Sequence, residues 1–416
     1  MPPVIHAIAT MDSKGIELDF LARTARATGA SVVTVDVGTK HAAQLAPDIC
    51  RETVADCHPG GRAAVLGCSD RGAAITAMGE ALTIFMRRRQ EAGLVSAAVG
   101  LGGTGGTALI APALRALPIG VPKLLVSTVA SGNTAPYVGN SDLILMPAVV
   151  DVAGLNRVSR RVLGNAAHAI AGMAAQAAQA ASGRPTVGLT MFGVTTPCVE
   201  RVRAQLEEMG YECLVFHATG TGGRTMEQLV ADGLIGAVID ITTTEVADEV
   251  VGGIFPAGPR RFEAIIAAGI PYVMSLGALD MVNFGAAATV PERFSGRRLH
   301  VHNPQITLMR TTVEENRECA RWMAAKINRA HAPLTVLMPE RSTSMLSAAG
   351  QPFHDPAADR ALIEELERAV AHAPGRRLER LDLDLNDPAF ADALVAAFQA
   401  IATLPATLSS RTGRTP

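Results

Sequence analysis

Lysine is scarce in this 416-residue chain: of 37 basic residues only Lys14, Lys40, Lys123 and Lys326 are lysines, and the rest are arginines. Beside abundant Ala this reads as a composition bias, and a net charge of −2 supplies no clustered positive field for a nucleic acid backbone. Aromatics make up 4 % with a single Trp, too few for base-stacking platforms. The six cysteines form no CxxC pair, so neither a disulfide framework nor a zinc knuckle is expected. No apolar run reaches the roughly 18 residues needed to span a bilayer, and no basic start with an apolar core opens the chain. A cytoplasmic protein without nucleic acid or membrane partners is the expectation. No GxxxxGKS or GxxxxGKT occurs, which excludes a Walker loop, and the first strand is not followed by GxGxxG, which disfavours a dinucleotide site of the Rossmann type.

What is present is core-forming material. Hydrophobic residues are 48 % and charged residues 18 %, and the length favours two domains. Strand-like and helix-like stretches alternate throughout, the pattern of two doubly wound, Rossmann-like α/β subdomains with mainly parallel sheets. The rhythm breaks at AQAAQAASGRP, so the boundary is placed between residues 183 and 184, with a flexible tail over 405–416.

The stretch VSAAVGLGGTGGTALIAPALRAL, from Val95, dominates the first half. An apolar strand passes into Gly102, Gly103, Thr104, Gly105, Gly106 and Thr107 and then into a helix. Glycines permit positive φ and close approach of a ligand, and the free N–H groups of the helix start favour an anion. Phosphate binding and a plain tight turn both fit this loop. Three further loops at expected strand ends carry polar residues: Asp12, Ser13 and Lys14 after VIHAIAT, Ser69 and Asp70 with Arg71 after AAVLG (read as a strand), and Ser127, Thr128, Ser131 and Gly132 after VPKLLV. Asp36 ends the second strand, where a ribose or metal contact is possible. Asp12 or Ser13, and Ser69 or Asp70, serve equally as helix caps. Loops at the carboxyl ends of parallel strands converge, so the group points to a nucleotide or phosphorylated ligand more strongly than any member does.

In the second half YECLVFHATGTGG repeats the strand, glycine loop and helix order, with His217 before Gly220. Glu245, Asp280 and Asn283 follow, and His300 and His302 lie two apart on an expected strand, hence on one face. Together these residues are candidates for acid–base work or metal ligation, or are hydrogen-bonded residues that order loops.

The run from Val99 through LGGTGGTALIAPALRALPIGVPKLLVSTVASGNTAPYVGNSDLILMPAVVDVAGLN resembles the Tm-one-like ATP-binding family, also catalogued as uncharacterised protein family 0261. FHATGTGGRTME, GALDMVNFG, HVHNPQITLMRTT and GQPFHDPAA are similar to its second half, so the resemblance covers nearly the whole chain. It implies two α/β subdomains, ATP bound in the first, taken here with Mg²⁺, and self-association as a homo-oligomer such as a dimer. A plant member carries a further barrel-like domain that in bacteria is usually a separate protein, which implies a partner of that kind. The stretch MPERSTSMLSAAG departs from the family pattern near Arg341, where a Gly is expected. Two functions follow from these readings. One is an ATP-binding protein whose nucleotide organises an oligomer or docks a partner; the other is an ATP-dependent or hydrolytic enzyme acting on a small metabolite in a second-domain or interdomain pocket.

Overall fold

The computed structural model describes residues 4–176 and 183–402. It divides into two compact units, Met1–Ala180 and Ala181–Pro416. The tail expected over 405–416 lies outside the described residues, as does the end of a helix expected to reach Ala180.

The first unit holds five strands: β1 (Val4–Ala9), β2 (Ser31–Asp36), β3 (Ala97–Gly102), β4 (Lys123–Ser127) and β5 (Ile144–Pro147). They form one sheet in the order β2-β1-β3-β4-β5, and every pairing is parallel. All six residues of β3 are buried, as a central parallel strand covered on both faces must be. Gly100 is required there, because a Cβ would come within 2.8 Å of Ile110 and Leu125 side-chain carbons. One face packs against the helices Met11–Arg26 and Arg157–Ala175, the other against Arg71–Glu91 and Thr104–Arg115. The helix Arg157–Ala175 starts on a capping box: Asn156 Oδ1 accepts from the N–H groups of Val158 and Ser159, and Ser159 Oγ accepts from Asn156 N at 2.8 Å.

One expected strand is absent. Ala63–Gly67 belongs to a helical turn, Gly61–Leu66, of which only Val65 is buried. The outer edge of β2 is bridged by Ile49 instead, whose N–H donates to the Thr34 carbonyl and whose carbonyl accepts from Asp36 N, each at 2.9 Å.

The second unit contains β6 (Thr186–Met191), β7 (Glu212–His217), β8 (Ala237–Thr242), β9 (Tyr272–Gly277), β10 (Met281–Phe284), β11 (Leu299–Asn303), β12 (Ile306–Arg310), β13 (Leu334–Pro339) and β14 (Arg376–Leu381). Six of them make a parallel sheet, β7-β6-β8-β9-β13-β14. Its order β7-β6-β8-β9 repeats β2-β1-β3-β4 of the first unit. The remaining three form an antiparallel sheet, β10-β12-β11. The strand expected to carry His300 and His302 is β11, and a tight hairpin follows it, turned where Asn303 Oδ1 accepts from Gln305 N.

Candidate functional site

In an open parallel sheet the ligand crevice lies beyond the carboxyl ends of the strands where the chain order reverses. In the first unit that point is between β1 and β3, and a cavity of about 470 Å³ opens there. Each wall comes from a different loop. Thr10, Asp12, Ser13 and Lys14 follow β1, and Thr39, Lys40 and His41 follow β2. Arg71 starts its helix beside them, and Gly103, Thr104, Gly105 and Gly106 follow β3.

The glycine loop has its own logic, which differs from the sequence expectation. None of its glycines has positive φ. Gly102 is required by packing, since a Cβ would lie 2.9 Å from Gly106 Cα, while at Gly103 the nearest atom to a Cβ would be Thr128 Oγ1 at 3.8 Å. Gly103 stands at the N-cap position and has no side chain to cover the first N–H groups of the helix Thr104–Arg115, which lack a carbonyl a turn behind them. These N–H groups and the helix dipole favour an anion in the cavity. Two of the chain's four lysines line the same space. The cationic heads of Lys40 and Arg71 have no protein partner among the described residues, whereas Lys14 Nζ donates to the Val152 carbonyl.

Other residues expected to bind cofactor are structural. Asp36 is buried, and its Oδ1 accepts from Met11 N at 2.9 Å and Gly38 N at 2.8 Å, fixing the turn that carries Asp12. Burial raises its pKa against those two hydrogen bonds. Thr107 and Ser127 are buried and bonded to each other at 2.7 Å between hydroxyls. Ser69, Thr128, Ser131 and Gly132 do not line the cavity, and the cap of the helix Arg71–Glu91 is Asp70, which accepts from Ala73 N. Asp12 Oδ2 faces Lys40 N at 3.2 Å and so holds the loop after β2 against the site. Sequence reasoning missed Thr39, Lys40 and His41, although the rarity of lysine marked Lys40. A more open groove at the other end of this sheet contains Lys123, but that ammonium is committed to Asp142 and to the Pro118 and Val121 carbonyls.

The second unit does not repeat this arrangement. Its glycine loop follows β7, an edge strand, and the position equivalent to the loop after β3 is Thr243–Glu245, after β8. Glu245 turns back: its Oε1 accepts from Gly220 N at 2.7 Å and Gly223 N at 3.1 Å. The anion place of the helix Thr221–Ala231 is thus taken by the protein's own carboxylate. Arg261 closes the cluster, donating from Nε to Glu245 and bridging Asp240 and Glu227, all buried. Tyr272 donates to Asp240 Oδ2 at 2.8 Å.

Asp280 is equally committed. It is buried and accepts from Thr343 Oγ1 at 3.0 Å and Ser344 Oγ at 2.8 Å, and burial raises its pKa. The loop after β13 is what holds it. Asn283 donates to Asp248. The expected polar set therefore separates, with Glu245, Asp280 and Asn283 locked in the interior and unable to join the histidines. His217 and His302 share a cavity of about 220 Å³, while His300 sets its ring edge against Phe353. Among the described residues no group of three or more His, Cys, Asp and Glu is placed to hold a metal.

The N-terminal domain of the uncharacterised protein family UPF0261 matches residues 3–179, and its C-terminal domain matches residues 184–402. The chain belongs to UPF0261. A UPF0261 protein of Rhizobium meliloti is 54 % identical over 398 residues, covering 96 % of this chain and 99 % of that one. A UPF0261 protein of Clostridium tetani is 42 % identical, covering 94 % of this chain and 96 % of its own. The ToMV resistance protein Tm-1 of Solanum lycopersicum is 44 % identical over 417 residues; the match covers 95 % of this chain and 55 % of the tomato protein. The two units thus share the order of four strands; the helix start after β3 is uncapped in the first, and the helix start after β7 is covered by Glu245 in the second. Among the described residues no helix is long and apolar enough to cross a membrane.

Proposed function

We propose that the first unit binds ATP with Mg²⁺ in the cavity between β1 and β3. The observation that carries this reading is the convergence of an uncapped helix start, Lys40 and Arg71 on one cavity at the switch point. A triphosphate supplies the negative charge these groups lack. The cavity lies within the roughly 300–1,000 Å³ typical of small-molecule sites. Asp12 is the carboxylate nearest to hand for Mg²⁺. The absence of a Walker lysine favours binding over rapid turnover, so the nucleotide acts by organising a homo-oligomer or by docking a partner such as a separate barrel-like protein. Resistance to ToMV belongs to the tomato relative and is not proposed for this chain.

Isothermal titration with ATP and Mg²⁺ tests the reading on the wild type, Gly103→Val and Arg71→Ala. A Cβ at 103 meets nothing within the protein closer than Thr128 Oγ1 at 3.8 Å, so the backbone tolerates a side chain there while the branched valine is expected to crowd the phosphate place. At least a tenfold loss of affinity is expected in each variant. Unchanged affinity in Gly103→Val would remove the phosphates from this loop.

A further inference from the structure

The cavity around His217 and His302 is a different kind of site. It sits at the carboxyl ends of β6 and β7 and is closed by the β11–β12 hairpin. Its floor is apolar: Phe192, Val194 and Leu308 belong to a small separate core cluster, with Phe255 and Ile306 packed on its rim. Its polar groups are the two imidazoles, the Thr219 hydroxyl and the Asn303 carboxamide. No ring nitrogen of His217 or His302 has a protein hydrogen-bond partner among the described residues; the His217 ring is steadied only by an edge contact with Phe192 at 5.4 Å between centroids. Asn303 Oδ1 is occupied by Gln305 N, which leaves its N–H groups for a ligand.

This chemistry narrows the ligand. At about 220 Å³ the cavity is too small for a nucleotide. With no Lys or Arg in the lining, the two imidazoles can hold one carboxylate head by hydrogen bonds, whereas a phosphate dianion or the second carboxylate of a dicarboxylate finds no further partner, and with no Asp or Glu an amine finds none either. Two imidazoles and an amide over a floor of phenyl and branched aliphatic groups fit a molecule with an apolar body and one acceptor head, while the Thr219 hydroxyl donates to the His217 carbonyl. We propose that this cavity binds a small monocarboxylate with a branched aliphatic or phenyl body, its carboxylate held by His217 and His302 and its body lying on Phe192, Val194 and Leu308. The site does not depend on the nucleotide reading of the first unit, because the two are read by different ligands and different variants.

Gly193 supplies the decisive variant. It lines the cavity, its φ is not positive, and a Cβ there meets nothing within 4 Å, so the backbone accepts a side chain and Gly193→Phe is the variant chosen to fill the cavity. The full chain is examined by saturation-transfer NMR with benzoate and isovalerate as probes and succinate as the comparison. Transfer to both probes and none to succinate is expected, lost in Gly193→Phe and weakened at least tenfold in the His217→Gln, His302→Gln double variant. The double variant keeps the test decisive should Gly193→Phe melt early. Absence of transfer to either monocarboxylate in the wild type, or transfer that survives both the filled cavity and the loss of both imidazoles, would overturn the proposal.

Discussion

Replacing Arg261 by Met probes what holds Glu245 against the Gly220–Gly223 loop. The guanidinium has three carboxylates around it: Nε–Oε2 of Glu245 at 2.8 Å, Nη1–Oδ2 of Asp240 at 2.9 Å and Nη1–Oε1 of Glu227 at 3.3 Å. All four side chains are at most 10 % exposed, so solvent does little to screen them. Removing one partner of such a buried pair costs about 3–5 kcal/mol, because the remaining charges stay in a poorly solvating interior. By contrast Arg201→Met, which removes an exposed pair with Asp392, should cost less than about 1 kcal/mol. The assay is urea unfolding followed by fluorescence of the single Trp, Trp322, whose ring meets Phe262 edge-on at 5.7 Å, next to the substituted residue. The pH dependence has a definite sign. Burial already raises the Glu227 pKa, and Arg261 is the largest of the influences that lower it. Without the guanidinium the folded-state value rises further above the unfolded one. The resulting penalty is larger at pH 7 and shrinks as pH falls toward the ordinary carboxylate range near about 4. The gap between Arg261→Met and wild type should therefore narrow from pH 7 to pH 5. A loss under about 1 kcal/mol, or a gap that widens on acidification, would refute the reasoning.

Three other outcomes follow from particular residues. Gly222→Ala should destabilise the second unit by about 2 kcal/mol or more, since its Cβ would overlap the His217 carbonyl oxygen, whereas Gly103→Ala should be nearly neutral in chemical denaturation. Val149 is 75 % exposed and holds φ at +67°, so Val149→Gly should stabilise the first unit by about 1 kcal/mol in calorimetry; a lower melting temperature would show that no strain is stored there. Burial pushes the Asp248 carboxyl up to about 7, above its unfolded value, so its ionisation costs stability progressively as pH rises from about 4 to 7. Asp248→Asn should flatten the pH profile of Trp322-monitored melting in that window, aided by Asn283, whose unpartnered Oδ1 can turn to accept the new amide; profiles that stay parallel would contradict this.

Much of the fold was legible because its signals are local. Apolar runs such as VIHAIA and AAVGLG, each closed by a polar or glycine turn and followed by helical spacing, give parallel α/β units whatever their neighbours do. The failures occurred where pairing decides. Ala63–Gly67 has strand composition, but the outer edge of β2 is bridged by Ile49 instead; His300 and His302 do lie on a strand, and the turn that follows them went unread because Asn303 caps it in a way periodicity does not register. At the site, Asp12, Lys14 and Gly103–Gly106 could be found by loop position. Asp36, Thr107 and Ser127 look the same in sequence but point inward, where N–H groups and each other's hydroxyls satisfy them. The likeness of the two glycine loops misled most: Gly220–Gly223 repeats the composition of the first loop, yet a carboxylate 22 residues beyond Gly223, Glu245, occupies its anion place. That pairing is visible only in three dimensions.

The central claim is that the two units divide these roles, with nucleotide taken by the first and excluded from the second. A crystal structure of the protein soaked with ATP and Mg²⁺ tests it most directly. The account predicts phosphate density against the N–H groups of Thr104–Gly106 within reach of Arg71 and Lys40, with Glu245 still bonded to Gly220 and Gly223. Phosphates at the Gly220–Gly223 loop, with Glu245 displaced, would contradict it.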